Sequence, residues 1–281
     1  MKKQFVSMPG PGRSAHALPI LCAAVLLAVC LSGCGLLSRT DRGGDMACSF
    51  KEPVESVHIE CESCDVRFSV GGGDACAVEY LGPSRMACTA EVKNGTLRIE
   101  EKRVHRLMFW NWFSRRSSKL TVFLPREEYD ELELSTVSGD VDLDDGDLFR
   151  DVWITTVSGD IDLTGAGGGE AVLSSVSGDM AFRDGSAREL SVSTTSGDVT
   201  VTGVDVAGRA ELSTVSGDVA LLDADAESLS ISTTSGDVST DLRTAKEYVT
   251  HTVSGDVSVA SSQPGAGRCE IETISGEILC R

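Results

Sequence analysis

Acidic side chains recur at one position of this chain in a pattern that could do chemistry. Asp140, Asp160, Asp179, Asp198, Asp218, Asp237, Asp256 and Glu277 each follow a Ser-Gly pair. The glycines between, Gly139, Gly159, Gly178, Gly197, Gly217, Gly236, Gly255 and Gly276, are 19–21 residues apart. Carboxylates brought close together can recruit divalent cations such as calcium. The plainer reading is that each acid hydrogen-bonds backbone N–H groups of its own turn and otherwise faces water. An active site needs one set of groups in one place, whereas many copies of one turn suit a scaffold. The seven aspartates therefore rank only as weak calcium candidates, and no metal is assigned.

Cys61-Glu62-Ser63-Cys64 has the Cys-x-x-Cys spacing of redox and zinc sites. No second Cys-x-x-Cys and no paired histidines complete a zinc set, and no helix pattern follows Cys61, so both cysteines read as structural. His58, His105 and His251 fit no metalloprotease or nucleophile-elbow pattern. Polysaccharide-cleaving solenoids need a few acids gathered on one groove; here the acids repeat and no pair stands out. The expectation is no enzyme and no cofactor.

A third feature is the segment holding Phe109, Trp110, Trp112 and Phe113, four of the chain's fourteen aromatics, followed by Arg115 and Arg116. It reads either as a loop covering an open sheet edge or as an aromatic-basic patch on a membrane surface or a partner.

The elements that carry these residues follow from hydrophobic period. Seven, five and three residues before each glycine stand triplets such as Leu132, Leu134, Thr136 and Leu229, Ile231, Thr233. Two and four residues after it stand pairs such as Val141, Leu143 and Val219, Leu221. Period two marks a strand with one buried face on each side of the turn. The glycine is expected at φ > 0. A fixed period of this size predicts an all-β solenoid of about eight regular coils of 19–21 residues, whose coils stack at ~4.8 Å. The inward Thr/Ser row is expected to satisfy its hydroxyls from coil to coil. Val57, Ile59, Cys61, Cys64, Val66 and Phe68 align with Leu132, Leu134, Thr136, Gly139, Val141 and Leu143, so a degenerate coil precedes the array. Asn94-Gly95 between alternating residues predicts a two-residue hairpin.

The N-terminus reads as a processing segment. Lys2, Lys3 and Arg13 precede an apolar run from Ala17 to Leu31, too short for a comfortable membrane span. The run ends in Leu31-Ser32-Gly33-Cys34, which resembles the bacterial lipobox. That resemblance implies cleavage before Cys34 and its lipidation. Residues 1–33 carry three basic groups and no acids, so their removal takes the net charge from −18 to −21. Such a charge disfavours nucleic acid. The organisation expected is a signal peptide at 1–33, a lipidated Cys34 with a flexible tether over 34–54, an irregular β-rich cap over 55–130, and the regular solenoid over 131–281. An oxidising envelope would pair most cysteines. Cys269 with Cys280 would pin the exposed last coil, Cys76 would face Cys88 across the turn near Gly82-Pro83, and Cys61 would join Cys64, leaving Cys48 free.

The repeats Ser135-Thr136-Val137-Ser138-Gly139-Asp140-Val141 and Ser213-Thr214-Val215-Ser216-Gly217-Asp218-Val219, with the lead-in Leu120 to Pro125, resemble the bacterial putative-adhesin family, a domain of unknown function. The resemblance spans most of residues 55–281. It implies a surface-exposed β-solenoid, often membrane-tethered, without established enzymatic activity. The function expected is a lipid-anchored extracytoplasmic surface protein of the bacterial envelope. It would serve adhesion or act as a binding scaffold, with the membrane and a protein or glycan as partners. The alternatives are an envelope-stress sensor acting through a partner and a glycan-binding or carbohydrate-active solenoid.

Overall fold

The computed structural model describes residues 44–70, 74–104, 117–259 and 261–281, all within one compact unit, Gly35–Arg281. Apart from a single turn of 3-10 helix at Gly146–Leu148, the elements in these residues are strands. Each regular coil supplies one strand before its Ser-Gly-Asp turn and one after it, and like strands pair in parallel from coil to coil. Ile154 lies between Leu134 and Leu173 in the pre-turn sheet. Ile161 lies between Val141 and Met180 in the post-turn sheet. Period two turns alternate side chains inward, so Leu132, Leu134, Val141 and Leu143 and their counterparts are buried in one continuous core.

Before the regular array, Val57, Ile59 and Cys61 pair with Leu132, Leu134 and Thr136, and Val66 pairs with Val141. This is the register required by the sequence alignment. A further coil lies on the other side of this one. Thr96–Arg103 pairs with Ser56–Cys61, and Ser118–Leu124 pairs with Cys64–Val70. Antiparallel strands then close this end. Met86–Lys93 pairs with Thr96–Arg103 through the Asn94-Gly95 turn, whose φ values are 52° and 79°. Cys76–Leu81 lies on Ser118–Leu124, and Met46–Phe50 lies outermost.

The other end departs from simple succession. The C-terminal coil, Gly267–Ser275 and Ile278–Cys280, is inserted between the Gly236 coil and the Gly255 coil. The Gly255 coil, Lys246–Ser254 and Val257–Val259, is therefore the open end, and the last coil of the chain is internal. Burial gives a reason. The inserted coil turns Cys269, Ile271, Ile278 and Cys280 inward, and all four are fully buried. The end coil has Tyr248, Thr250, Thr252, Val257 and Val259 at the inward positions, and its two threonines lose less than the facing Ile271 would by meeting water.

The inward Thr/Ser row does not satisfy itself. The hydroxyls of Thr136, Thr156, Ser175, Thr194 and Thr273 are buried without a hydrogen-bond partner among the described residues. A coil-to-coil hydroxyl contact forms on the outward side, where Ser193 Oγ lies 3.4 Å from Ser174 Oγ. Thr214 and Thr233 instead donate weakly, at 3.4 Å, to the glycine carbonyls of the preceding coils.

Candidate functional site

The row of turns is the most repeated surface in the molecule, and its groups are committed between coils. Asp140 Oδ1 accepts the backbone N–H of Asp160, and Asp160, Asp179, Asp198 and Asp218 do the same for Asp179, Asp198, Asp218 and Asp237, at 2.8–3.0 Å. Asp237 accepts from Glu277 at 2.7 Å, which again places the C-terminal coil next in the stack. Six of the acids, Asp140 to Asp237, thus bond the turn of the following coil rather than their own, correcting the sequence reading. Asp256 sits at the open end.

The glycines answer to the same contact. A Cβ on Gly159, Gly178, Gly197, Gly217 or Gly236 would lie 1.9–2.1 Å from the glycine carbonyl oxygen of the preceding coil. Six of the eight turn glycines have φ between 139° and 158°, while Gly217 and Gly236 lie outside the positive-φ set. Close approach, shared by all, is therefore the common reason for glycine, and positive φ is the reason at only some turns.

What the lattice leaves over is an apolar stripe. Two residues before the turn glycines, Val137, Val157, Val176, Val215, Val253 and Ile274 are 46–81% exposed. They lie beside the acid row in six of the eight regular coils, with Thr195 and Thr234 at this position in the other two. The sequence reading passed over them because they belong to the repeated turn motif and are read with its local chemistry.

Three further surfaces carry charge. A shallow open groove of about 540 Å³ runs past Ser186, Asp205, Asp225, Glu227 and Lys246. Within it the buried Lys246 ammonium meets Asp225 at 2.6 Å and Thr244 at 2.7 Å. Burial alone would raise the Asp225 carboxyl, but hydrogen bonds from Lys246, Thr244 and the Ala226 N–H, with the Lys246 charge, hold it below its usual range. On the outer face, His58 sits between Glu133 at 2.8 Å and Glu60 at 3.0 Å. At the open end, His251, Glu270 and Glu272 gather their ligand atoms within 4.8 Å of one another on the exposed surface.

The seven described cysteines are all unpaired, so the three expected disulfides are not formed. Cys76 lies on a post-turn-sheet strand and Cys88 on a pre-turn-sheet strand, and the turn between them does not bring them face to face. Cys269 and Cys280 stand on opposite sheets of an internal coil, not at an exposed end. Cys61 and Cys64 are close but unbonded, and they share their place with a residue the sequence reading missed. Glu101, only 3% exposed, brings a carboxylate oxygen within 4.8 Å of both thiols. Glu101 accepts the N–H groups of Glu62 and Ser63 at 3.0 and 2.8 Å and the Tyr80 hydroxyl at 2.7 Å. A hydrogen bond with Cys61 and burial together raise the Cys64 thiol far above its ordinary range. Burial, then the charges of Cys61 and Glu101, raises Cys88. The signal for Glu101 was present: it ends the inward series Leu97, Ile99, Glu101, an acid at a core position.

Cys34 and the segment carrying Phe109, Trp110, Trp112, Phe113, Arg115 and Arg116 lie outside the described residues. In the sequence the segment falls between Thr96–Arg103 and Ser118–Leu124. Among the described residues no helix is long and apolar enough to cross a membrane.

The Toastrack DUF4097 family profile matches residues 54–280. No curated protein matches the chain. Among solved structures, a putative adhesin from Bacteroides fragilis NCTC 9343 is 15% identical with a TM-score of 0.49, the alignment covering 84% of this chain and 97% of that one. A putative lipid binding protein from Parabacteroides distasonis ATCC 8503 is 16% identical at a TM-score of 0.44, covering 84% and 97%. A putative adhesin from the same strain is 14% identical at 0.47, covering 85% and 98%.

Proposed function

The chain belongs to the Toastrack family, and from that premise we propose that it is a lipid-anchored, extracytoplasmic binding scaffold without catalytic chemistry. It would hold a protein partner along the row of turns. The observation that carries this reading is the exposed run of Val137, Val157 and Val176, resumed at Val215 beyond Thr195. The lattice accounts for the glycines and acids of each turn but not for these side chains. An ordered apolar row on a water-facing surface costs solubility and serves contact. The acids beside it give the contact a polar rim. Lipidation at Cys34 would keep this surface near the membrane.

The test uses the membrane-anchored protein in its own cells. Val157, Val176 and Val215 are changed together to Ser, and cross-linked partners are compared with those of the wild type. Loss of a specific cross-linked species with an unchanged melting temperature supports the reading; an unchanged set of species counts against it. Cys34→Ser should remove lipid labelling and shift the protein out of the membrane fraction, and retention there would contradict the anchor.

A further inference from the structure

We propose that Cys61, Cys64, Cys88 and Glu101 form a closed four-donor site for a thiophilic divalent cation, with Zn²⁺ the ion their chemistry fits best. The Cys-x-x-Cys pair lies at the turn between Ser56–Cys61 and Cys64–Val70. Its missing partners come from the antiparallel hairpin packed beside it, in which Cys88 and Glu101 are register partners whose side chains share one face. One ligand atom from each of Cys61, Cys64 and Glu101 already lies within 4.8 Å of the other two. Tetrahedral zinc, with bonds of about 2.0–2.3 Å, needs donors somewhat under 4 Å apart, so about 1 Å of contraction closes the set. Cys88, buried on the hairpin face it shares with Glu101, stands outside that set of three and supplies the fourth donor by turning its thiol toward it.

Three observations favour a ligand set over ordinary core packing. In the neighbouring coil the positions of Cys61 and Cys64 are held by Thr136 and Gly139, so the coil itself has no need of thiols. Glu101 is a buried acid whose carboxylate takes three hydrogen bonds but no ion pair among the described residues, so it stands in the core without a cation. Its orientation is fixed as a ligand's would be: Tyr80 donates to it, and Ser118 lies 3.0 Å from the Tyr80 hydroxyl. The buried pair Cys269 and Cys280 has no carboxylate in such a cluster and makes no site. Binding converts three thiols to thiolates, so one cation enters and three protons leave.

The test is a Co²⁺ titration of the reduced full-length protein, purified without chelators, followed by Zn²⁺ displacement. One Co²⁺ per chain is expected, with thiolate-to-cobalt charge transfer, tetrahedral visible bands and displacement by Zn²⁺. Cys61→Ser with Cys64→Ser should weaken binding at least 100-fold, and Cys269→Ser with Cys280→Ser should leave it unchanged. X-ray absorption of the zinc-loaded wild type reads the site without any substitution. A sulfur-dominated shell near ~2.3 Å supports it, and a shell of oxygen and nitrogen alone overturns it. Absence of thiolate absorption with Co²⁺, or a Cys61–Cys64 disulfide in protein isolated from cells, also overturns it.

Discussion

The Asp160 carboxylate accepts the backbone N–H of Asp179 at 2.8 Å, across the gap between two coils. The same bond recurs along the stack, so the repeated acid works as a clamp on its neighbour. The acceptor oxygen matters here and the charge matters less. Asp198→Asn keeps an oxygen for the Asp218 N–H and should change stability by less than about 0.5 kcal/mol. Asp198→Ala removes the acceptor and should cost roughly 1 kcal/mol. Denaturant melts of the two variants distinguish the roles; equal losses would mean that the charge, not the bond, matters.

The glycines make a sharper case. Gly217→Ala places a Cβ 1.9 Å from the Gly197 carbonyl oxygen, although Gly217 is not in the positive-φ set. Gly265 has φ +82° but nothing within 4 Å of its added Cβ. Gly265→Ala should cost about 1 kcal/mol, the conformational penalty alone, and Gly217→Ala about 3 kcal/mol or more. A larger loss at Gly265 would show that φ rather than close approach selects glycine.

Stacking order is testable by hydrogen exchange. Amides of Cys269, Ile271 and Thr273 lie in an internal coil, whereas those of Val249 to Thr252 lie on the end coil, despite its earlier place in the chain. The first group should exchange more slowly, since protection follows burial and pairing. Faster exchange of residues 269–273 would restore the simple sequential stack.

This inversion marks where the sequence stopped being legible. Strands, turns and the degenerate coil at Val57–Phe68 could be read because period two and the glycine contact are local rules repeated many times. Neighbour order could not, because every coil presents nearly the same strands to whichever coil lies next to it. The one sign was the 21-residue step from Gly255 to Gly276. The Thr/Ser row misled because a short polar side chain suggests a hydrogen-bonded ladder, whereas most of these inward hydroxyls have no partner among the described residues. Cys61 and Cys64 were visible as a pair, but Glu101 joins them only through a parallel pairing of distant strands.

Acid should reveal the Lys246–Asp225 pair. Asp225 is held below its usual range in the fold, so its contribution to stability is present above the unfolded carboxyl value, ~3.9, and fades as pH falls through the folded value. Lys246→Met removes the partner and should cost roughly 1–3 kcal/mol near neutrality. The gap between wild type and variant should narrow as pH falls from 6 towards 3. A gap that stays constant over that range would mean the pair does not titrate as a unit.

The central claim is that the acid row holds the coils together and is not a ligand site. Thermal melting in millimolar Ca²⁺, compared with Na⁺ at matched ionic strength, tests it most directly. A cation bound only by the folded row would raise the melting temperature with its concentration. Screening alone acts alike for both salts. The account predicts coincident melting curves in the two salts; a saturable rise specific to Ca²⁺ would contradict it.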